Sequence, residues 1–140
     1  MIDVLVSRDC DLSAEVVYDL LADFGNTSWM KGVAKTEVDG DGVGMVRNIY
    51  PDPNASPVRE MMTERDDLAR KVAYTITEGN PLPVENYSAY VQISEAGTGC
   101  TIEWAGSFEA KGTDPETAKT AVEGMYGVLL DWLIEGAGAA

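Results

Sequence analysis

Residues 100–135 read CTIEWAGSFEAKGTDPETAKTAVEGMYGVLLDWLIE and pass from one hydrophobic period to another within a short stretch. From Ile102 to Phe108 every second residue is apolar or glycine, which is the period of a strand that buries one face. Asp114 then precedes Pro115, a favoured helix start, and the apolar residues that follow recur every three or four positions. These residues therefore predict a strand that leads directly into a long helix.

The predicted helix carries one apolar face and two glycines. Its apolar face consists of Ala118, Ala121, Val122, Met125, Leu129 and Leu133. Gly124 and Gly127 each cost about 1 kcal/mol relative to alanine in a helix interior. Either the helix tolerates this cost, or another part of the chain approaches its backbone closely.

Six strands are predicted between residues 33 and 110, because apolar residues alternate there between turn signals rich in glycine, proline and aspartate. The connections are short, so neighbouring strands run antiparallel. Residues 2–7 predict a further strand at the start of the chain. The six ranges are 33–38, 44–50, 58–65, 70–77, 86–94 and 100–109.

A helix is predicted after the first strand. Ser13 caps it, and its apolar stripe is formed by Val16, Val17, Leu20 and Leu21. The helix ends at the sequence Phe24-Gly25-Asn26. Residues 26–31 then predict a short second helix or a turn that presents Trp29.

The composition disfavours several classes of function. With 24 acidic and 10 basic residues the net charge is −14, which repels phosphate backbones and anionic membrane surfaces. We therefore expect no nucleic-acid partner and no membrane partner. No apolar run is long enough to cross a bilayer, and the first residues lack the pattern of a signal peptide, so we expect a cytoplasmic protein.

Histidine is absent from the sequence, which removes histidine-based catalytic triads, general bases and metal ligands. Cys10 and Cys100 are too widely spaced for a CxxC motif or a zinc cluster. We therefore expect neither a metal site nor a cofactor.

The order of these elements and several motifs resemble the START-like (SRPBCC) superfamily of helix-grip folds. The matching motifs are SAEVVYDLLADFGNTSWM, GDGVGMVRNIY, VREMMTERDD, VAYTITEGNPLPVENYSAYVQI, CTIEWAGSFEAKG and AVEGMY, which together span nearly the whole chain. Within the superfamily, the chain is most similar to the bacterial relatives of polyketide cyclases and of plant abscisic acid receptors. The resemblance implies a single α+β domain over residues 1–140. Its curved seven-stranded antiparallel sheet wraps around the long C-terminal helix, and two short helices follow the first strand.

The resemblance also implies a closed apolar cavity between sheet and helix that holds a small hydrophobic molecule. The loops PDPNASP, residues 51–57, and PLPVENY, residues 81–87, would border its entrance. Rigid prolines there would limit the entropy lost when the loops close on a ligand. On the neighbouring first and last strands, Cys10 and Cys100 would lie close together, and we expect both thiols to stay reduced in the cytosol.

Strand alternation agrees with the inward residues that the resemblance implies. On the strand 86–94, for example, Tyr87 and Ala89 face inward while Ser88 and Tyr90 face outward. Ordinary core packing is the alternative role for the large aromatic and methionine side chains in this set. The expected ligand-binding residues are Trp29, Ile49, Met62, Ile76, Val84, Ala89, Trp104, Phe108, Met125, Tyr126 and Leu129.

A carboxylate is the exceptional member of the inward-facing set. The residues Val58, Glu60, Met62 and Glu64 share one face of their strand, and the resemblance directs Glu60 into the cavity. A carboxylate held in an apolar pocket is a candidate general base or acid for work on a bound ligand.

Tyr74 and Tyr87 are the other candidate catalytic residues, because a tyrosine hydroxyl can donate a hydrogen bond to a ligand carbonyl or a developing enolate. Core packing with a satisfied hydroxyl is the alternative for both. For Glu60 the alternative is an ion pair with Arg47 or Arg59, contact with water, or the anchoring of a ligand hydroxyl.

Two functions use these same residues. The first is binding of a small neutral molecule, aromatic or polycyclic, by a monomer or a homodimer. The alternative is a cofactor-independent polyketide cyclase or dehydratase, lyase or isomerase in which Glu60 is the general base. A chaperone-like or toxin–antitoxin interaction protein is a third possibility, and it would show a large exposed apolar patch.

Plant receptors of this superfamily hold a ligand carboxylate with a lysine inside the pocket. Here no lysine occupies a clearly interior position in the sequence pattern, since the facing of Lys31 and Lys35 is open. A carboxylate ligand and a hormone-receptor role are therefore not expected.

Overall fold

Seven antiparallel strands form a curved sheet around the C-terminal helix in the computed structural model, which describes residues 1–139. In chain order the elements are β1 (Ile2–Cys10), α1 (Ala14–Ala22), β2 (Lys35–Asp39), β3 (Val46–Tyr50), β4 (Val58–Asp66), β5 (Lys71–Glu78), β6 (Val84–Ala96), β7 (Gly99–Ala110) and α2 (Pro115–Gly138). The strand order is β1-β7-β6-β5-β4-β3-β2, so sequence neighbours pair from β2 to β7, and β1 joins at β7. The predicted α+β helix-grip fold is confirmed.

Both helices begin where their caps predict. The side chain of Ser13 accepts a hydrogen bond of 3.3 Å from the backbone N–H of Val16, and Asp114 accepts one of 3.1 Å from that of Thr117. Pro115 occupies the first turn of α2, where its missing N–H leaves no bond unmade. Residues 26–31, for which the sequence predicts a second short helix or a turn, contain turns and a bend but no helix, so one short helix and not two follows the first strand.

The buried face of α1 is rotated by one position from the predicted stripe. Val17 and Leu21 are buried as expected, but Val16 is 42% exposed and Tyr18 is buried in its place. The hydroxyl of Tyr18 donates a hydrogen bond of 2.6 Å to the Asp67 carboxylate. This bond gives the polar end of a buried tyrosine its partner, which a count of apolar residues does not anticipate.

The buried face of α2 also differs from the predicted one. Met125 and Leu129 lie at its edge and are only half-buried. The face turns towards Tyr126 because that side chain lies against Gly106 of β7, where a Cβ would overlap the Tyr126 hydroxyl. The buried residues of α2 are Ala118, Val122, Tyr126, Leu130, Leu133 and Ala137. Neither helix within residues 1–139 is both long and apolar enough to cross a bilayer.

A β-bulge reverses the facing of Glu64. The register of β4 against β5 shifts between Met62 and Glu64, which leaves Thr63 as the extra residue. The shift moves Glu64 to the outer face of the sheet, where its carboxylate lies 3.3 Å from the Lys71 ammonium. The prediction that Glu64 shares the inner face with Glu60 is therefore wrong.

Cys10 and Cys100 lie directly opposite each other on β1 and β7, and both are free thiols. Burial raises the pKa of the Cys100 thiol to about 11, and the neighbouring Cys10 contributes to the rise. The reactive thiolate form of Cys100 is therefore scarce at neutral pH.

Candidate functional site

A pocket of about 210 Å³ lies between the inner face of the sheet and α2. Strands β3 to β7 and α2 provide its walls, together with the turns before β2 and β6. Its buried lining, here called the floor, consists of Arg47, Ile49, Glu60, Tyr74, Tyr87, Trp104 and Tyr126. Its half-buried or exposed lining, the rim, includes Met30, Lys31, Val33, Leu82, Leu129 and Trp132.

An ion pair lies in the floor. Nε of Arg47 on β3 donates a 2.8 Å hydrogen bond to Oε1 of Glu60 on β4, and the two residues face each other in the strand register. Nη1 of Arg47 donates to the backbone carbonyl of Phe24 at 3.0 Å, and the guanidinium lies 3.9 Å from the centre of the Phe24 ring. Arg47 therefore compensates the charge of Glu60 inside the protein.

The second carboxylate oxygen of Glu60 faces the pocket. Within residues 1–139, Oε2 has no hydrogen-bond partner, and no side-chain polar atom there is both fully buried and unpartnered. Oε2 is therefore accessible, and the space that Glu60 lines is the pocket. This oxygen is free to accept a hydrogen bond from a molecule bound there.

Three tyrosine hydroxyls and one indole form a continuous hydrogen-bond chain in the floor. Nε1 of Trp104 donates to the hydroxyl of Tyr74 at 3.1 Å, and the Tyr74 and Tyr87 hydroxyl oxygens lie 3.2 Å apart. The Tyr87 hydroxyl is in turn hydrogen-bonded to that of Tyr126. Because β5, β6, β7 and α2 each contribute one of these side chains, the chain ties the sheet to the helix.

Burial raises the pKa of each of the three tyrosines. Desolvation is the largest cause for Tyr74, Tyr87 and Tyr126, because a phenolate in the floor would lose its water. The negative charge of Glu60 raises the pKa of Tyr74 and Tyr126 further. The three hydroxyls therefore stay protonated at neutral pH and serve as hydrogen-bond donors and acceptors.

The rim contains one of the two loops expected at the entrance. Pro81 and Leu82 of PLPVENY line the pocket, and the side chain of Asn80 accepts a 2.9 Å hydrogen bond from the Leu82 N–H. No residue of the loop 51–57, all of which the structure describes, lines it. The turn before β2 takes the place of that loop, through residues 30–33.

The two lysines whose facing the sequence left open do not reach the floor. The Lys31 ammonium lies 3.4 Å from the Glu135 carboxylate at the rim, and the Lys31 side chain is 63% exposed. The Lys35 ammonium lies 3.8 Å from the Glu37 carboxylate on β2. A ligand carboxylate would therefore find no lysine in the floor.

The structure brings the candidate catalytic residues Glu60, Tyr74 and Tyr87 together in the floor. Of the predicted ligand-binding residues, those that line the pocket are Ile49, Ile76, Trp104, Met125, Tyr126 and Leu129.

The other predicted ligand-binding residues are buried in the core away from the pocket, namely Trp29, Met62, Val84, Ala89 and Phe108. Trp29 packs closely against α2, since a Cβ added at Gly136 would lie 2.6 Å from the Trp29 Cβ. Phe108 stacks on Tyr87 with ring centroids 6.4 Å apart, and thus supports the floor from beside it. A side chain that faces inward does not necessarily line the pocket, because α2 covers part of the inner face of the sheet.

Arg47 and Trp132 are among the lining residues that were not predicted as site residues. Trp132 lies three positions after Leu129 on α2, so helical spacing is a signal that could have found it. Arg47 lies two positions before Ile49 on β3, so strand alternation points it inward, but a buried arginine is rare and needs a partner.

Larger depressions also lie on the surface. One of about 480 Å³ follows the outer face of the sheet past small side chains such as Ala73 and Ala105. Another of about 720 Å³ lies beside α1 and includes exposed carboxylates such as Glu15 and Asp19. The internal pocket is smaller, but among these three it is the one that places a buried ion pair and a hydroxyl chain inside an apolar wall, as ligand sites do.

Solved structures of several proteins share this architecture. A Bacillus thuringiensis protein superposes with a TM-score of 0.84 at 24% identity, over 97% of this chain and 98% of its own. A Thermobifida fusca protein gives 0.80 at 26% identity, over 99% and 95%. Norcoclaurine synthase from Thalictrum flavum, in complex with dopamine and hydroxybenzaldehyde, gives 0.75 at 19% identity, over 96% and 84%.

Sequence comparison identifies the family. No curated protein matches the chain significantly. The family described as polyketide cyclase / dehydrase and lipid transport matches residues 1–135. Because this match runs through every strand and most of α2, the chain belongs to the polyketide cyclase / dehydrase and lipid transport family of the START-like superfamily.

Proposed function

We propose that this protein binds a small, uncharged, mainly apolar molecule with an aromatic ring in the pocket between the sheet and α2. One observation carries the proposal: the pocket has an apolar wall and only a few buried polar groups, and the charges among these cancel. Small-molecule sites in proteins have this composition. The description of the family, which includes lipid transport, supports the same reading.

The volume of the pocket limits the size of the ligand. A cavity of roughly 150 Å³ is sufficient for benzene. The pocket, at about 210 Å³, therefore suits one substituted ring. A polycyclic molecule requires the rim to move outward, and the unbranched side chains of Met30 and Met125 are suited to that adjustment.

The charges in the pocket favour an uncharged ligand. Arg47 and Glu60 neutralise each other in the floor, and Lys31 is paired with Glu135 at the rim. An ionised ligand would lose its hydration without gaining a free counter-charge.

Calorimetric titration with toluene and p-cresol tests this proposal. Ile76→Trp fills the pocket from β5 and should weaken binding of both probes at least about tenfold, because the added indole occupies the ligand volume. Val128→Trp is the matched control, since Val128 is 43% exposed on α2 and does not line the pocket. The proposal fails if neither probe binds the unmodified protein, or if the two variants bind alike.

A second candidate function, acid–base catalysis on the bound molecule, is favoured by one observation. The accessible oxygen of Glu60 and the tyrosine hydroxyls, an acceptor and donors, line the same pocket. This supports cyclisation, dehydration, lyase or isomerase chemistry with Glu60 as the general base. Glu60→Gln should then abolish turnover of a substrate while changing its affinity by less than about tenfold, and undiminished turnover rules out the role.

A further inference from the structure

The hydrogen-bond chain in the floor has one proton more than it uses. Tyr74, Tyr87 and Tyr126 carry three hydroxyl protons, but only two bonds join their oxygens. Trp104 can only donate, so its bond to Tyr74 occupies an acceptor position and uses no hydroxyl proton. Within residues 1–139 none of the three hydroxyls has a further partner, so one O–H remains for another molecule.

The indole favours one direction of donation along the chain. Trp104 makes the Tyr74 oxygen an acceptor. Hydrogen bonds strengthen one another when each hydroxyl accepts on one side and donates on the other. Cooperativity therefore favours donation from Trp104 through Tyr74 and Tyr87 to Tyr126, which leaves the unused proton on Tyr126.

An acceptor lines the same pocket as the chain. Oε2 of Glu60 is accessible from the pocket that Tyr126 also lines, and the negative charge of the carboxylate raises the pKa of both Tyr126 and Tyr74. Across the described residues, no hydrogen bond joins Glu60 to a tyrosine of the chain. Tyr126, which carries the unused proton, and the acceptor Glu60 thus line one pocket without satisfying each other.

We propose that the ligand places an uncharged hydroxyl between Tyr126 and Glu60, where it accepts from the tyrosine and donates to the carboxylate. A hydroxyl fits because it does both. An ether or ketone oxygen only accepts and leaves Oε2 unpaired, while an ionised carboxylate would stand beside the charge of Glu60. This inference rests on the proposed function, and it makes Tyr126 the specificity-determining residue of the pocket.

Three probes of nearly equal shape test the inference by calorimetry at neutral pH. The p-cresol hydroxyl donates and accepts, the oxygen of 4-methylanisole only accepts, and p-xylene does neither. We expect p-cresol to bind at least about tenfold more tightly than p-xylene, with 4-methylanisole between them, because pairing buried polar groups is worth at least this much. Equal binding of p-cresol and p-xylene overturns the inference and leaves the proposed function standing, whereas failure of all three to bind overturns both.

Two variants locate the effect. Tyr126→Phe should lower the preference for p-cresol over p-xylene at least about threefold, and Glu60→Gln should lower the preference for p-cresol over 4-methylanisole. Binding of p-xylene reports that the pocket is intact in each variant. Tyr90→Phe, on the outer face of β6 above Lys71, is the control and should keep the preferences of the unmodified protein. Unchanged preferences in both Tyr126→Phe and Glu60→Gln contradict the assignment.

Discussion

A single glycine determines how Tyr126 sits in the floor. Because Gly106 on β7 has no side chain, the Tyr126 hydroxyl can lie against the strand and reach Tyr87. Gly106→Ala should displace Tyr126 and lower the free energy of unfolding by about 1–3 kcal/mol, as overpacking of a core does. Urea denaturation measures this loss. Ser88→Ala, on the exposed face of β6, is the control, and its free energy of unfolding should stay within about 0.5 kcal/mol of that of the unmodified protein. Equal stability of the two variants would contradict the close contact between Gly106 and Tyr126.

Loss of Arg47 and loss of Arg59, the two arginines near Glu60, should lower the free energy of unfolding by very different amounts. Arg47→Met leaves the Glu60 carboxylate without its counter-charge, so the free energy of unfolding should fall by about 3–5 kcal/mol. Arg59→Met removes the adjacent, half-buried arginine of β4 and should cost far less. Guanidinium denaturation of both variants measures the difference. Similar losses would mean that Arg47 does not compensate Glu60.

Strand alternation was sufficient to point Glu60 inward, but not to choose its partner. Sequence reasoning offered Arg47 and Arg59 equally, and the choice falls to Arg47 because the β3–β4 register places it directly opposite. The hydroxyl chain was beyond prediction for a similar reason. Its members come from three strands and a helix, so their distances depend on tertiary packing and not on any local spacing.

Two glycines of α2 distinguish the effect of helix propensity on stability from the effect of close packing. Gly136 meets Trp29, where a Cβ would lie 2.6 Å from the Trp29 Cβ, whereas Gly124 has nothing within 4 Å. Gly124→Ala should therefore raise the free energy of unfolding by up to about 1 kcal/mol, since alanine is the better helix former. Gly136→Ala should lower it, because the clash exceeds that gain. Thermal denaturation of the pair checks the opposite signs, and a gain in both variants would contradict the close packing.

The elements themselves were predictable because alternation and caps are local signals. The strands and both helices lie where the periods of two and of three to four residues place them. The errors arose where a tertiary contact overrides the pattern. A hydrogen bond to Asp67 buries Tyr18, and the bulge at Thr63 turns Glu64 outward without any glycine or proline to mark it.

The buried tyrosines should make the stability of the whole protein fall at alkaline pH. The sequence holds six tyrosines; burial raises the pKa of Tyr18 to about 12 and raises those of Tyr74, Tyr87 and Tyr126 as well. The unfolded chain releases these protons at the ordinary tyrosine pKa of about 10, while the folded chain retains them. Their contribution is therefore fully present below about pH 10 and is lost as the pH rises further.

Urea denaturation across alkaline pH, followed together with tyrosinate absorbance, measures this effect. The free energy of unfolding should decline above about pH 10, and the decline should be shallower in Tyr126→Phe, which lacks one of the responsible groups. Ionisation of all six tyrosines near pH 10 in a still folded protein would contradict the buried chain.

The fold as a whole followed from the order of elements and from the family resemblance, because both are read along the chain. The volume and shape of the pocket did not follow, since they depend on which inner side chains α2 covers. Met62, Val84 and Ala89 face inward and yet fall outside the lining.

Binding of a small aromatic molecule between the sheet and α2 can be located by NMR, from the chemical-shift changes of methyl and backbone amide groups during titration with p-cresol. The largest changes should cluster at the pocket, on Ile49, Ile76, Leu82, Met125 and Leu129. Changes centred instead on the outer face of the sheet, around Leu5, Ala73 and Ala105, would contradict it.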